Sequence, residues 1–393
     1  MSELRESFAR MRRRAFAVGL VGLAATAIGA WFDLRGFFES WLLGFVFWLS
    51  LPLGSLALVM LHHLTGGSWG FATRRLLEAG MRTLPLAALF FLPLAFGAHA
   101  LYEWAHPEAV AADPHLAEKH RYYLNVPFTL ARAACYFGLW ILLAFWLDGL
   151  SRRMDRTADP RVLRRMRAIA GPGLALYGLS LTFASVDWVM SLEPHWYSTI
   201  YGMRFMVGQA LTTLAFAIVL SSWLARREPF ARWIRDEHFH DLGKLLFTCV
   251  ILWAYVAFSQ WLILWSGNLL EDIPYYLRRT RGVWNVLALS LIFLHFALPF
   301  ALLLSRRLKR NARALAVVAG WLIVLHWLDL AWVVVPAFPR EGAGLTWLDL
   351  AATVAMGGIW FGVFVWQLQG RPLVSLQDAG LEHQLERPAV SAP

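Results

Sequence analysis

Long apolar runs separated by short polar stretches account for most of this chain. They fall at about 15–32, 37–61, 83–101, 126–148, 168–190, 199–223, 244–266, 283–304, 313–335 and 346–368. A helix needs roughly 20 apolar residues to cross the hydrocarbon core of a bilayer, and these runs have that length. The pattern predicts an all-α polytopic membrane protein of ten transmembrane helices, with no soluble domain of any size. The polar stretches between runs are short, as a compact bundle requires. The longest, Tyr102–Asn125, carries His106, His115 and His120. Their spacing matches no tight metal-ligand motif, so it reads as a solvated or partner-docking loop.

The inner ends of the fourth and eighth runs share a short sequence, Leu150-Ser151-Arg152-Arg153 and Leu304-Ser305-Arg306-Arg307. A duplication of four helices would place them so, and this hints at two parallel four-helix bundles, spans 2–5 and 6–9, flanked by spans 1 and 10. The chain then divides into 1–36 (N-terminal tail and first span), 37–191 (first bundle), 192–336 (second bundle) and 337–393 (last span and tail). Residues 371–393 are polar with scattered proline, and are expected to be disordered or draped on a partner.

Composition and charge sharpen this picture. Of 393 residues, 59% are hydrophobic and 16% charged, a balance no soluble globular domain needs. The net charge of +10 invites a nucleic-acid reading, which its distribution excludes. Of the 36 Lys and Arg, 27 lie at one set of alternate run ends and 8 at the other, with Arg132 inside a run. That is a strong positive-inside signal, and it places both termini in the cytoplasm. The arginine run within Ser151–Arg167 is a topology determinant beside anionic lipid. The first run, preceded by Arg10, Arg12, Arg13 and Arg14, is long for a signal peptide and is expected to be retained. Cys135 and Cys249 both lie inside runs and cannot form an iron–sulfur cluster, which needs clustered cysteines.

Ionisable groups inside apolar runs are costly and mark functional sites. The stretch Ser180–Arg204 sets Asp187, Glu193, His195 and Arg204 among apolar and aromatic residues. Arg132 and Asp187 lie at similar depth on adjacent helices, and two readings stand: a structural ion pair, or one wall of an outer pocket completed by Glu193 and His195. In the ninth run, His326 and Asp329 are three residues apart and share a helix face, a His–carboxylate couple able to hold and pass a proton. With His295, Ser259 and Gln260 they would form a polar thread through the second bundle, unless each is only an interhelical hydrogen bond. His62, His63 and Asp148 cluster at inner run ends. The corner His62-His63-Leu64-Thr65-Gly66-Gly67-Ser68-Trp69-Gly70 reads as a glycine-built turn, with a proton inlet as its functional reading. Several of the 21 tryptophans, such as Trp188, Trp196, Trp284 and Trp347, fall at run ends, where aromatic belts sit. Flat pockets for a quinone ring would use the same residues.

Four stretches together, FASVDWVMSLEPHWYSTIYG (183–202), HHLTGGSWG (62–70), YYLNVPFTLARAACYF (122–137) and HWLDLAWVVVPAF (326–338), resemble the polysulfide-reductase/NrfD-type membrane subunits. Within that family the chain looks like the second such subunit of bacterial alternative complex III, a quinol:cytochrome c oxidoreductase. The resemblance covers nearly the whole chain. It implies ten helices in two four-helix bundles, in a bacterial cytoplasmic membrane. It also implies partners: a sister NrfD-type membrane subunit, a periplasmic iron–sulfur subunit, c-type haem subunits, a terminal oxidase in some assemblies, and lipid. The chain has no CxxCH haem-attachment sequence, so no cofactor is expected to be covalently or metal-bound to it, while quinol or menaquinol is a candidate ligand. Carried over, His326 and Asp329 are proton-path candidates, and Arg132, Asp187, Glu193 and His195 line the outer part of the first bundle. The expected role is therefore support of quinol oxidation and proton transfer, without catalysis by this chain alone. A secondary transporter is the alternative, and a haem held between His295 and His326 a weaker one.

Overall fold

The computed structural model describes residues 2–157, 159–227, 230–232, 234–340 and 344–370; the tail 371–393, expected to be disordered or partner-bound, lies outside them. The described residues are helical, with no strand. The principal helices are α1 (Ser2–Phe32), α2 (Leu34–Thr65), α3 (Trp69–Met81), α4 (Leu84–Phe96), α5 (Val126–Thr157), α6 (Pro160–Trp188), α7 (Tyr201–Leu224), α8 (Asp236–Gly267), α9 (Val283–Leu304), α10 (Ala312–Val334) and α11 (Trp347–Gln369). Among the described residues nine helices are long and apolar enough to cross a membrane, and the pair α3–α4, bent by 41°, passes the same test as a unit.

The third apolar run differs from its expectation. The apolar count starts it at residue 83, yet α3 precedes it, with Arg75 and Glu78 buried in the packing. The bend has a local cause. Pro85 has no N–H to donate, and its ring would strike the carbonyl four residues earlier in an unbroken helix. The Thr83 hydroxyl instead donates to the Gly80 carbonyl at 2.7 Å and accepts the Trp360 indole N–H at 2.8 Å, so the broken turn is satisfied from α11.

Packing follows apolarity. Helix α2 is apolar on all sides, as a fully enclosed helix must be, and is buried along most of its length. It is surrounded by α3, α4, α6, α7 and α11, while α5 closes a ring between α4 and α6. A second ring runs α7, α8, α9, α10 and back to α7. Helix α1 lies outside both and packs along α11. There the backbones nearly touch: a methyl group added at Gly19 or Gly22 would sit 2.7 Å from the Ile359 nitrogen or 2.8 Å from the Ala355 nitrogen. Small residues permit such an approach in lipid, where packing rather than water exclusion drives association.

The expected glycine corner is present. Gly66 and Gly67 have φ of 69° and 105°, a region that residues with a Cβ resist. The Gly66 N–H closes α2 on the His62 carbonyl at 2.8 Å, and the Ser68 hydroxyl donates to Asp241 of α8 at 2.6 Å. The Leu-Ser-Arg-Arg pair, by contrast, is not a structural repeat. Ser151 lies within the continuous α5 and donates to Glu78 at 2.6 Å, whereas Ser305 follows the end of α9 and accepts from the Leu308 N–H. The Tyr102–Asn125 segment is not a loose loop either. It folds into two short helices, Pro107–Ala112 and Pro114–Tyr122, and buries Trp104 and Leu116. The Lys119 ammonium donates to the Pro194 carbonyl at 2.6 Å.

Candidate functional site

Helix α9 is interrupted by a π-helical turn at Leu291–Ala297, and a proline again explains it. Pro299 cannot donate to the His295 carbonyl and would clash with it. The Leu298 N–H reaches back five residues to the Phe293 carbonyl, and the Leu294 carbonyl accepts the Trp321 indole N–H of α10 at 3.0 Å. Wide turns of this kind occur often at functional sites. This one carries His295, which is fully buried, inward between α8 and α10.

Beside it lies an ion pair. Arg204, one turn into α7, donates to Asp329 of α10, and both are buried. Trp253 of α8 donates its indole N–H to the other carboxylate oxygen at 3.1 Å. The Trp253 ring also packs on His295, with centroids 4.2 Å apart. His326 approaches the Asp329 carboxylate only to 4.0 Å, and neither of its ring nitrogens makes a hydrogen bond; the same holds for His295 and for both amide atoms of buried Gln260. Ser259, next in sequence, is half-buried. The expected His326–Asp329 couple is thus corrected in one respect. The carboxylate's first partner is a guanidinium from α7, because a permanent cation outcompetes a neutral imidazole for a buried anion. Arg204 was visible as a lone cation near the end of an apolar run, and a cation buried there must find a carboxylate; Trp253 carried no comparable signal. His295 and His326 are buried and do not themselves line the groove between α8 and α9 described below, although Trp253 and Asp329, which they approach, do.

The first-ring candidates divide among three partners. Arg132 and Asp187 form the expected pair, with the guanidinium donating to both carboxylate oxygens at 2.8 and 2.9 Å and the Tyr136 hydroxyl donating at 2.9 Å. Glu193 faces the second ring, where Arg278 and Arg279 meet it at 3.0 and 2.7 Å. Arg279 is buried, lies 3.6 Å over the Tyr275 ring and donates to the Val333 carbonyl at 2.7 Å. Burial works against its charge, but Tyr275 and Glu193 hold the guanidinium above its usual range. His195 pairs with Asp113 at 3.1 Å. These four residues therefore do not converge on one pocket. At the arginine-rich end, Asp148 is held by Arg152 at 2.7 Å and lies 3.7 Å from Arg82. His63 is buried, and the His62 ring stands edge-on to Trp69 with centroids 5.0 Å apart.

A half-open groove of about 810 Å³ lies between α8, α9 and the short helix Ile273–Arg279, with Tyr255, Phe258, Leu289 and Ile292 exposed along it. Its walls are mainly apolar and aromatic, among them Ala254, Phe258, Ala288 and Phe296, while Arg204 and Asp329 line one part of it. Among the described residues no group of three or more His, Cys, Asp or Glu could hold a metal ion.

Compared with protein-family models and with curated proteins, the chain matches none. The fold nonetheless defines its class, an all-helical, multi-pass membrane protein. Its second ring holds a buried Arg–Asp–Trp cluster flanked by two histidines whose ring nitrogens make no hydrogen bond.

Proposed function

We propose that the chain is an integral membrane subunit of a quinol-oxidising respiratory complex in a bacterial cytoplasmic membrane. It crosses that membrane ten times, as two four-helix bundles flanked by α1 and α11, with both termini on the cytoplasmic side. It carries no redox centre of its own; electrons pass through iron–sulfur and c-haem partners beside a sister membrane subunit. Its own contribution is proton transfer through the second bundle. One observation carries this reading: His295 and His326 are buried beside Asp329, and Gln260 is buried about two turns beyond Trp253 on α8, all with side-chain nitrogen or oxygen atoms that no protein group satisfies. Buried polar groups are nearly always hydrogen-bonded, and internal water is the partner that would also let a proton move between them. Ionisable groups kept at such depth mark proton relays. The resemblance of residues 183–202 and 326–338 to NrfD-type subunits supports the same role.

The test is Asp329→Asn in the assembled complex. Assembly persists while proton movement coupled to quinol oxidation falls; normal coupling in that variant removes the path. Transport by this chain alone gains little support, since matched helix breaks in both halves would be its signature. The two breaks fall in α3–α4 and α9, the third and eighth spans, which do not correspond in a four-helix duplication.

A further inference from the structure

We infer that the arginine-rich link between α9 and α10 is a binding site for an anionic phospholipid bearing two phosphate groups. Arg306, Arg310 and Arg313 hold the phosphates, and an acyl chain lies along the exposed face of α10. The inference stands apart from the respiratory reading. Residues 306–313 read Arg-Arg-Leu-Lys-Arg-Asn-Ala-Arg, with no carboxylate among them. Arg306, Arg307, Arg310 and Arg313 are exposed, and among the described residues none of the four pairs with a carboxylate. The link is pinned in place. Arg306–Arg310 form a short helix whose first turn is capped by the Ser305 hydroxyl, which accepts from the Leu308 N–H at 3.3 Å. Asn311 then starts α10 by accepting from the Arg313 and Ala314 N–H groups at 3.0 and 3.1 Å. Lys309 turns towards α8: a methyl group added at Gly243 would meet its Cγ at 2.7 Å, and its ammonium stands 5.5 Å from the Phe247 ring. Arg306 and Arg310 share a helix face, and Arg313 follows three residues later. Their charge reaches His240 of α8, where partial withdrawal from water and then Lys244, Lys309, Arg306 and Arg310 hold the imidazole below its usual value. The adjacent carboxylate, Asp241, is already engaged by Ser68 and Lys244.

The surface that adjoins the arginines selects the ligand. Arg313, Val317, Trp321 and Val324 follow one another at helical spacing, and all four are exposed. At 1.5 Å per residue the stripe from Arg313 to Val324 is about 16 Å long, close to half of the roughly 30 Å hydrocarbon core. That is the depth of one leaflet. Trp321 donates its indole N–H to the Leu294 carbonyl of α9 at 3.0 Å, so its ring is fixed against that helix and gives the stripe a flat floor. A soluble anion would use the guanidinium groups and leave the stripe idle. A zwitterionic lipid would use the stripe and carry no net charge to the arginines. A lipid with an anionic head uses both. Each guanidinium can fork onto a phosphate, so three of them exceed what one phosphodiester needs and suit a headgroup with two. Basic clusters between helices at a cytoplasmic face bind headgroups of this kind.

Photocrosslinking tests the site. The full-length protein, with whatever companions purify with it, is placed in phosphatidylcholine nanodiscs containing diphosphatidylglycerol with diazirine-bearing acyl chains. After irradiation, labelled peptides are identified by mass spectrometry. The label is expected on residues 314–324, and excess unlabelled diphosphatidylglycerol should remove it while excess phosphatidylcholine does not. Arg313→Gln alone should cut it about fivefold, the effect of one interfacial charge. Arg306→Gln, Arg310→Gln and Arg313→Gln together should cut it on the order of a hundredfold. Should that triple variant fail to assemble, the single variant decides. Arg153→Gln, Arg156→Gln and Arg164→Gln remove as many exposed arginines around the turn from α5 to α6, and should leave the label unchanged. Label that survives the changes at 306, 310 and 313 overturns the site. An equal loss in the α5–α6 control also overturns it, since any positive surface would then serve. Removal by pyrophosphate as readily as by the lipid would make the cluster a seat for a soluble anion and overturn the lipid. Equal removal by phosphatidylglycerol at matched phosphate would overturn the two-phosphate headgroup.

Discussion

Arg132 and Asp187 illustrate what one side chain can decide in this protein. Asp187 is fully buried, and its two oxygens take three hydrogen bonds from Arg132 and Tyr136. Removing one partner of such a pair strands a charge, at a cost of about 3–5 kcal/mol. Arg132→Ala should therefore lower the thermal unfolding midpoint of the detergent-solubilised protein markedly. Arg132→Lys should recover only part of the loss, because an ammonium cannot bond both oxygens as a planar fork does. Arg132→Met with Asp187→Leu should recover most of it; a double variant as unstable as the single would contradict this account. A second residue-scale prediction concerns Asp113, outside the spans. Partial burial works against its charge, but the Leu116 and His115 N–H groups and His195 hold its carboxyl below the ordinary aspartate value of 3.8. A lowered carboxyl contributes stability at every pH above that ordinary value, and the contribution disappears as pH falls through the lowered one. Hydrogen-exchange protection of helix Pro114–Tyr122, corrected for intrinsic rates, should be retained down to about pH 5 and fall in stronger acid, as the Asp113 carboxylate is lost. At this scale the sequence was informative where a charge stood alone. Asp187, Arg132 and Asp329 were conspicuous in apolar runs, whereas the link from Asp329 to Arg204 joins residues 125 positions apart, and local spacing cannot reveal it.

At the scale of elements, apolar run length located most helices, and failed where a span contains charges that are satisfied internally. Helix α3 is such a case. Arg75 pairs with Glu78 at 2.7 Å, and Ser151 of α5 reaches the same carboxylate, so residues that look like loop in a hydropathy count are enclosed in the packing. The cap over residues 102–125 was unreadable for a related reason, since its short helices are held by contacts with residues 188–196 more than by their own propensity. The contact of α1 with α11 makes a prediction of its own. Leucine at Gly22 meets the Ala355 backbone, and overpacking of this kind costs about 1–3 kcal/mol or forces the helices apart. Gly22→Leu should lower the unfolding midpoint and expose α1 to protease. Gly138→Leu, where an added methyl group meets nothing within 4 Å, is the control and should change neither. Equal behaviour of the two would mean that α1 is not held by this seam.

For the whole molecule, the number of crossings decides which face each end occupies. If the bent α3–α4 pair crosses once, the chain spans an even number of times and both termini face the same compartment. Epitope tags at the two ends of the chain, probed in sealed inverted vesicles, should then be accessible together. Accessibility of one alone would reduce the bent pair to a re-entrant segment and the count to nine. The charge asymmetry already visible in the sequence argues for the even count. The same sequence says nothing of the groove between α8 and α9, because grooves arise from how separate helices meet.

The wide turn in α9 has a further consequence for that meeting. Leu291, His295, Pro299 and Leu303 are the buried residues of this helix, a spacing of four. In a regular α-helix such a row would wind around the axis by about 40° at each step, carrying its far end out of the packing. The widened turn winds the other way and keeps the row facing inward. The helix thus behaves as though it holds one spare residue. Deleting a single residue from Leu291–Ala297 would restore ordinary geometry locally while rotating one end against the other by about 100°. The length of this short stretch, as much as its composition, sets which side chains of α9 face the bundle.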